Sequence, residues 1–381
     1  MPYRSNAALP ARLAASAILA AAAAAANAED GADILSIDHY VRHESTLPAA
    51  RGETVQLYVR ERVRSGVVAR TADFTGRVAL FVHGAGTPAE VAFDVPYEGY
   101  SWMAYLAAAG FDVFSMDVTG YGRSTRPSVM NDPCNAAPEQ RAALAGGDCE
   151  PSYPHDLGNI ASDWDDIGAV VDYVRALRGV DSVALLGWSL GGPRAGGFAA
   201  GNPEKVSRLV LLAPAYDRGR AGQAPDPLPA QGHAMTTQSH ADFIANWDRQ
   251  AGCADQYDPR AAASVWSEML ASDPVGATWG PGVRRAPRTT VGGWNRAMAE
   301  RTRTPMLIVQ GIHDAQVTPD RALALYEDLG SPSKVYLDVG CASHNLMWER
   351  NRELLFRASL EWLQQGTVDG AQTGMLRKGY E

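Results

Sequence analysis

Short apolar runs recur along the chain, separated by longer stretches whose apolar residues follow helical spacing. Runs of this kind are typical of strands buried on both faces, and the longer stretches are typical of crossover helices. The predicted strands are residues 78–82, 111–117, 183–187, 209–212, 306–310 and 334–339. The predicted helices are residues 97–109, 159–177, 193–200, 321–328 and 345–363. This alternation predicts an α/β fold with a mostly parallel central sheet and flanking helices.

Other parts of the chain depart from this alternation. Residues 54–63 alternate apolar and polar side chains, which predicts an antiparallel strand at the sheet edge. Residues 125–158 form a polar insertion rich in proline and glycine, and the tail after Gln365 is predicted to be loosely ordered or surface-bound. Residues 216–303 lack a strand pattern and hold four tryptophans, so we expect an inserted, mostly helical lid. The predicted division is 1–28 leader, 29–215 first core part, 216–303 lid, and 304–381 second core part with the tail.

The N-terminus has the layout of a secretory signal peptide. Arg4 and Arg12 accompany an alanine-rich apolar run over residues 13–26, and Ala28 ends a small-residue cleavage site. The alternative, an uncleaved membrane anchor, is disfavoured because a span needs about 20 apolar residues. We therefore expect an exported protein, periplasmic or secreted, with no membrane span after cleavage.

Charge excludes some partners. Cleavage after Ala28 removes two arginines and no acidic residue, which takes the formal net charge from −9 to −11. Nucleic acids and anionic membrane surfaces repel a protein of this charge, so neither is an expected partner. A small-molecule substrate fits this composition, and the sequence leaves the oligomeric state open.

The pattern G-x-S-x-G stands at Gly187-Trp188-Ser189-Leu190-Gly191, after a predicted strand and before a predicted helix. A very sharp strand-to-helix turn exposes the central serine in strained backbone geometry. Bulky residues two positions away on either side would clash there, which explains both glycines. The motif in this context predicts Ser189 as a catalytic nucleophile.

A second glycine-rich bend, His83-Gly84-Ala85-Gly86, follows another buried strand. Such a bend lets a backbone N–H point at a negative charge that develops on the substrate oxygen. We predict Ala85 as one oxyanion donor, with Gly84 or Gly86 as alternatives one residue away, and the N–H of Leu190 as the second. His83 is predicted to orient the loop.

Two further residues complete a catalytic set. Asp314 follows a predicted strand and should therefore lie at the same rim of the sheet as Ser189; Asp217 is the alternative acid. His344 follows the last predicted core strand and gives the order Ser…Asp…His, with His313 as the alternative base.

These motifs, together with the turn D-x-x-G-x-G-x-S at residues 117–124, resemble the α/β-hydrolase superfamily, in its serine esterase and lipase-like branch. The similarity spans about residues 50–365 outside the insertion and the lid. It implies that Ser189 attacks an acyl carbon, His344 takes the serine proton and Asp314 holds the histidine tautomer. Water activated by His344 would then hydrolyse the acyl-enzyme. No metal or organic cofactor is implied, and the turn at residues 117–124 is interpreted as scaffold.

Aromatic residues suggest an apolar pocket. Trp188 adjoins the nucleophile, while Trp102 and Tyr100 lie near the oxyanion loop, so we expect all three to bind substrate. The other interpretation is that the aromatic residues form the core of the lid. The leading prediction is hydrolysis of an apolar or aromatic carboxylic ester or a lactone. The alternatives are amide or peptide hydrolysis, C–C bond hydrolysis, and a non-catalytic binding protein.

The four cysteines favour disulfide bonds in an exported chain. Cys134 and Cys149 flank one polar loop, so we expect this pair, which leaves Cys253–Cys341 as the second. The second bond would join the lid to the loop that carries His344. The alternative is four free thiols, and a metal site is not expected because the sequence contains no Cys/His cluster.

Overall fold

The apolar runs form the centre of a nine-stranded sheet in the computed structural model, which describes residues 33–68, 73–219, 231–280, 282–286 and 294–380. The predicted signal peptide, residues 1–28, lies outside the described residues. The strands of this sheet are β1 Ile34–Glu44, β2 Thr54–Arg64, β3 Val78–Val82, β4 Asp112–Met116, β5 Val183–Trp188, β6 Val206–Leu212, β9 Met306–Gly311, β10 Lys334–Val339 and β11 Thr373–Lys378. Two further strands, β7 Thr236–Ser239 and β8 Gly282–Arg285, pair antiparallel with each other.

The strand order is β1-β2-β4-β3-β5-β6-β9-β10-β11. β1 and β2 run antiparallel to their neighbours, and the pairs from β4 to β11 are parallel, so the predicted fold class is confirmed. Both edges of the sheet differ from a simple reading of the pattern. β2 is not the edge, because β1 pairs with it along its whole length. Of the two states predicted for the tail, the structure shows the surface-bound one, because β11 pairs with β10 over six residues and forms the opposite edge.

Helices cover both faces of the sheet. They are α1 Ser65–Val68, α2 Ala89–Phe93, α3 Trp102–Ala108, α4 Pro138–Ala145, α5 Ile160–Arg178, α6 Gly191–Gly201, α7 His240–Asp248, α8 Pro259–Ser272, α9 Arg296–Ala299, α10 Pro319–Asp328 and α11 Arg352–Gln365. Short 3₁₀ turns span Pro48–Ala50, Ser128–Asn131, Pro133–Asn135, Gly276–Thr278 and Leu346–Trp348.

Side-chain alternation along β3 shows how the sheet divides the core. Ala79 and Phe81 join the cluster that contains α3 and α11, whereas the other three strand residues join the cluster that contains α5 and α6. All five positions are buried. A strand with both faces covered needs apolar residues throughout, which is why the run is continuous rather than alternating.

Two predicted helices begin later than expected. The helix predicted from residue 97 begins at Trp102, because Ser101 caps it by accepting the Ala104 N–H at 2.8 Å. The predicted helix 345–363 is broken into the turn Leu346–Trp348 and α11. The first residues after His344 are therefore held in a turn that positions the histidine loop and not in a regular helix.

The segment between β6 and β9, which we call the β6–β9 segment, is helical in α7, α8 and α9. The absence of strands predicted there was wrong, because β7 and β8 form a short ribbon. The segment also contacts the predicted insertion: the amide of Gln140 on α4 bonds both backbone groups of Thr237 at 2.8 Å. Arg284 on β8 donates to the carbonyl of Met130 at 2.8 Å. The insertion and the β6–β9 segment therefore pack as one layer.

Both predicted disulfides are present, which confirms the favoured pairing. Cys134–Cys149 closes the insertion, and Cys253–Cys341 joins the β6–β9 segment to the loop after β10. Two disulfides are compatible with an exported protein.

Within the residues that the structure describes, no helix has both the length and the apolar character that crossing a bilayer requires.

Candidate active site

Ser189 occupies a sharp turn between β5 and α6. Its φ is +58°, in the left-handed region that non-glycine residues rarely adopt. Backbone hydrogen bonds hold this conformation: the Ser189 N–H donates to Leu212 O, and its carbonyl accepts the Gly192 and Ala215 N–H groups, each at 2.9 Å. Strain maintained by surrounding hydrogen bonds is characteristic of functional sites.

The flanking glycines have the steric role that the sequence predicted. A Cβ on Gly187 would collide with the backbone of Gly191, and a Cβ on Gly191 would collide with the carbonyl oxygen of Val82. A Cβ on Gly84 would lie 3.0 Å from the Cβ of Ser189. The turn and the His83–Gly86 loop are therefore in van der Waals contact across the end of the sheet.

His344 and Asp314 form a buried hydrogen-bonded pair. His344 Nδ1 lies 2.8 Å from Asp314 Oδ2, and each residue is 3% exposed. A carboxylate only accepts, so the proton resides on Nδ1 and Nε2 is the ring acceptor. The other oxygen of Asp314 accepts the N–H groups of Gln316 and Val317 at 2.8 and 2.9 Å. The carboxylate is thus fixed on both oxygens.

Neither the alternative acid, Asp217, nor the alternative base, His313, has surroundings like those of the Asp314–His344 pair. Asp217 is exposed, and its carboxylate accepts the N–H of Gly219 in a local turn. The ring of His313 packs against Gly252 of the β6–β9 segment, where a Cβ on that glycine would collide with it. The geometry favours Asp314 and His344.

The indole of Trp188 connects the turn to the histidine loop. Its Nε1 donates to the backbone oxygen of His344 at 2.8 Å, and its ring centroid lies 5.4 Å from those of both His344 and Trp348. Trp188 is 4% exposed. Trp188 therefore both adjoins Ser189 and holds the loop that carries His344.

The predicted substrate contacts of Trp102 and Tyr100 need correction. Trp102 is fully buried and packs on the rings of Phe81 and Phe356 inside the core. Tyr100 is 7% exposed, and the guanidinium of Arg352 lies 3.7 Å from its ring centroid. Nearness in sequence suggested that both side chains lie beside the His83–Gly86 loop, whereas Trp102 lies in the core and Tyr100 packs against Arg352.

The His83–Gly86 loop is held by arginines on two sides. Arg194, on α6, donates to the carbonyls of His83 and Gly84, both at 3.0 Å. Arg285, on β8, donates to the carbonyls of Ala85 and Gly86 at 2.9 and 3.2 Å. Sequence reasoning missed both arginines, although a lone charge in the Gly/Ala-rich start of α6 was a usable signal.

A buried carboxylate stabilises the histidine loop. Glu349 is fully buried and accepts the N–H and hydroxyl of Ser343, at 2.7 and 2.5 Å, directly before His344. It also accepts from Trp247 and Gln256 of the β6–β9 segment at 2.9 and 3.0 Å. Burial raises the pKa of Glu349, and these four donors oppose that effect. Sequence reasoning missed this residue as well.

Another missed residue is Gln310, whose amide donates to Asp314 Oδ2 at 3.1 Å and to the Val317 carbonyl at 2.9 Å. It lies at the end of β9, four residues before the aspartate. Its contacts fix the oxygen that faces His344.

The turn at residues 117–124 serves as scaffold, in agreement with its interpretation from sequence. Asp117 accepts the N–H groups of Ala89 and Arg123 at 2.7 and 3.1 Å. Burial raises its pKa to about 6. In the described part of the chain, no three His, Cys, Asp or Glu side chains cluster closely enough to hold a metal ion.

Comparison with known proteins agrees with this architecture. A carboxylesterase from Bacillus subtilis has 16% identity and a TM-score of 0.53, over 92% of this chain and 99% of that one. A meta-cleavage product hydrolase from Pseudomonas fluorescens has 16% identity and a TM-score of 0.53, over 86% and 99%. An N-acyl homoserine lactone degrading enzyme has 17% identity and a TM-score of 0.52, over 84% and 99%. At these identities the likeness concerns the fold alone.

No curated protein matches the chain significantly in sequence. The family model described as alpha/beta hydrolase fold matches residues 78–351, which include both candidate catalytic loops and the turn between β5 and α6. The chain therefore belongs to the α/β-hydrolase fold family.

Proposed function

We propose that this protein is an exported serine hydrolase that cleaves a carboxylic ester or a lactone through an acyl-enzyme on Ser189. His344 is the general base and Asp314 orients it. One observation carries the proposal: a serine strained at φ +58° between β5 and α6 is linked through Trp188 to a histidine that is hydrogen-bonded to a buried carboxylate. The strained turn is explained if Ser189 is a nucleophile, because this backbone conformation exposes the serine hydroxyl for attack on a substrate.

In the acylation step, Ser189 Oγ attacks the acyl carbon while its proton passes to His344 Nε2. The carbonyl oxygen becomes negative and accepts hydrogen bonds from the N–H groups of Ala85 and Leu190. Collapse of this intermediate breaks the bond to the leaving alcohol, which takes the proton from His344. Asp314 stays ionised and stabilises the imidazolium that forms in between.

Deacylation repeats the sequence with water as the nucleophile. Water gives a proton to His344 and attacks the acyl carbon of the ester on Ser189. The second tetrahedral intermediate uses the same two N–H donors. It expels Ser189 Oγ, which recovers its proton from His344, and the carboxylic acid leaves.

The β6–β9 segment is proposed as a lid that is fixed in place. Three contacts with the catalytic loops support this: Arg285 bonds the oxyanion loop, Trp247 bonds Glu349 behind the histidine loop, and Cys253–Cys341 is covalent. A segment tied at several points favours a preformed pocket over a swinging gate. Two of the four tryptophans in this segment pack against the rest of the fold: Trp247 lies beside Trp348, and Trp294 lies against Gly196 on α6.

The test is turnover of p-nitrophenyl esters from acetate to palmitate by mature wild type and Ser189→Ala. We expect activity that vanishes in Ser189→Ala and persists in the control Ser182→Ala, whose partly exposed serine lies just before β5. The chain length of the best substrate then measures the pocket. Wild type that turns over no ester but is labelled at Ser189 by a fluorophosphonate would redirect the search to amides or C–C bonds. Absence of both turnover and labelling would refute the serine-hydrolase proposal.

A further inference from the structure

We propose that Arg194 is a positioning residue of the oxyanion hole, which holds and polarises the Gly84–Ala85 peptide group. The inference rests on the proposed function, in which the Ala85 N–H stabilises the oxyanion. Arg194 lies on α6, five residues after the nucleophile, and it is completely buried. A buried arginine beside the catalytic turn requires partners, and those partners reveal its role.

The direction of the Arg194 side chain is fixed at both ends of its guanidinium. Nε donates to Asp163 Oδ2 at 2.8 Å, and Nη1 donates to the carbonyls of His83 and Gly84, each at 3.0 Å. The ring of Tyr121 lies 5.2 Å from its central carbon. Because the guanidinium is planar with a rigid set of donors, the bond to Asp163 determines where Nη1 points.

The carbonyl of Gly84 and the N–H of Ala85 belong to one peptide group. A trans peptide is planar and places these two dipoles on opposite sides, and the described residues contain no cis peptide bond. Donors that hold the Gly84 oxygen therefore turn the Ala85 N–H away from Arg194. Since Gly84 also packs against the Cβ of Ser189, rotation of this peptide would redirect the N–H beside the nucleophile.

His83 supplies a second donor to the same oxygen. Its Nε2 accepts the Val118 N–H at 3.2 Å, so the ring proton is on Nδ1, which lies 2.7 Å from Gly84 O. Burial and the nearby charge of Arg194 hold the pKa of His83 well below its usual value, which keeps the ring neutral. Arg194 Nη1 lies 3.3 Å from His83 Nδ1, but both nitrogens are donors, so this pair is a contact and not a hydrogen bond.

One carbonyl thus accepts a cationic and a neutral donor. Hydrogen bonds to a peptide oxygen draw electron density from the group and make its N–H a better donor, and charged donors do so most strongly. The gain is largest where negative charge develops, which is in the transition state and not in the bound substrate. Because Arg194 lies behind the loop, its effect should appear in kcat and leave KM unchanged.

The test compares an ester with its thionoester, in which sulfur replaces the carbonyl oxygen and accepts hydrogen bonds poorly. We choose the double variant Asp163→Asn/Arg194→Met, which does not leave the carboxylate buried and unpaired. On the oxoester we expect kcat to fall by about 10- to 100-fold, less than deleting a donor outright, with KM unchanged. The ratio of oxoester to thionoester kcat should fall with it.

Arg178→Met is the matched control, because Arg178 is a mostly buried arginine that bonds Glu61 at 2.5 Å far along α5 from the catalytic turn. It should lose stability but keep the wild-type ratio. If the double variant fails to fold, Arg194→Lys is the second variant. Lysine keeps a cation opposite Asp163 but cannot also reach the carbonyls of His83 and Gly84, so it should lower the ratio of oxoester to thionoester kcat as well.

An unchanged ratio in an Arg194 variant whose kcat has fallen would assign the residue a structural role and overturn the inference. This outcome differs from failure of the proposed function. If wild type shows no turnover that depends on Ser189 and no fluorophosphonate labelling, the serine-hydrolase proposal falls and the inference falls with it.

Discussion

Asp314→Asn provides the sharpest test of the proposed catalytic set, because the geometry of the carboxylate fixes what an amide must do. Oδ1 accepts two backbone N–H groups, and Oδ2 accepts His344 Nδ1 and the amide of Gln310. Asparagine has one acceptor oxygen. The two backbone donors hold that oxygen at the Oδ1 position, so the NH₂ group replaces Oδ2 and faces His344.

An NH₂ group is a donor, so His344 Nδ1 must become the acceptor and the ring proton moves to Nε2. Nε2 then cannot take the serine proton. A tautomer reversal of this kind costs about 10⁴-fold in kcat in a Ser-His-Asp triad, which is about 5.5 kcal/mol of transition-state stabilisation. The buried hydrogen bonds to the backbone survive and the bond from the Gln310 amide to Oδ2 is lost, so the unfolding free energy should fall by about 1–3 kcal/mol, less than the change in the activation free energy.

The assay is kcat on the best p-nitrophenyl ester, with thermal unfolding measured on the same samples. Asp217→Asn is the matched control, because this exposed aspartate accepts the N–H of Gly219 in a local turn and should keep wild-type kcat. A loss of less than tenfold in Asp314→Asn, or an equal loss in Asp217→Asn, would refute the assignment of the acid.

Three further predictions concern stability. Gly191→Ala places a Cβ against a backbone oxygen of β3 and should cost about 2 kcal/mol in urea unfolding, while Gly201→Ala, at the open end of the same helix, should be neutral; equal effects would contradict the steric argument. Replacing Cys253–Cys341 by serines should lower the unfolding free energy by about 4–5 kcal/mol, against about 3 kcal/mol for Cys134–Cys149, because the two bonds close loops of 88 and 15 residues. Loss of Cys253–Cys341 should also lower kcat more than loss of Cys134–Cys149, because it frees the loop that carries His344. Burial raises the pKa of Asp166 to about 7, so the folded state keeps a proton that the unfolded state releases from about pH 4, and this residue should contribute a slope of about −1.4 kcal/mol per pH unit to the unfolding free energy between about pH 4 and pH 7. Asp166→Asn should remove that slope, and an unchanged slope in urea unfolding at pH 4.5, 5.5 and 6.5 would contradict the assignment.

The positions of the core strands followed from sequence because strands covered on both faces must be apolar throughout. The predicted bounds of β3 and β10 coincide with those observed. The two edge strands of the sheet were not predicted, for the opposite reason. β1 and β11 have one exposed face and mixed polarity, and β11 contains a glycine at φ +119°, so their patterns carry little signal.

The candidate site shows the same division. Ser189, Asp314 and His344 each lie in a loop that follows a strand, and motifs and chain order are enough to propose residues at such positions. Trp102 was misplaced because its nearness in sequence to the oxyanion loop does not reveal which way a helix turns its side chains.

The sequence by itself indicated the fold class, a favoured disulfide pairing and the candidate catalytic residues, because strand burial, turn sterics and an even number of cysteines can all be read along the chain. Only the tertiary structure decided what holds those residues in place. Arg194, Arg285 and Glu349 reach the candidate catalytic loops through buried or partly buried hydrogen bonds that join residues 6 to 200 positions apart along the chain. Such bonds depend on which side chains the folded core brings together, and the spacing of residues along the chain does not predict those contacts.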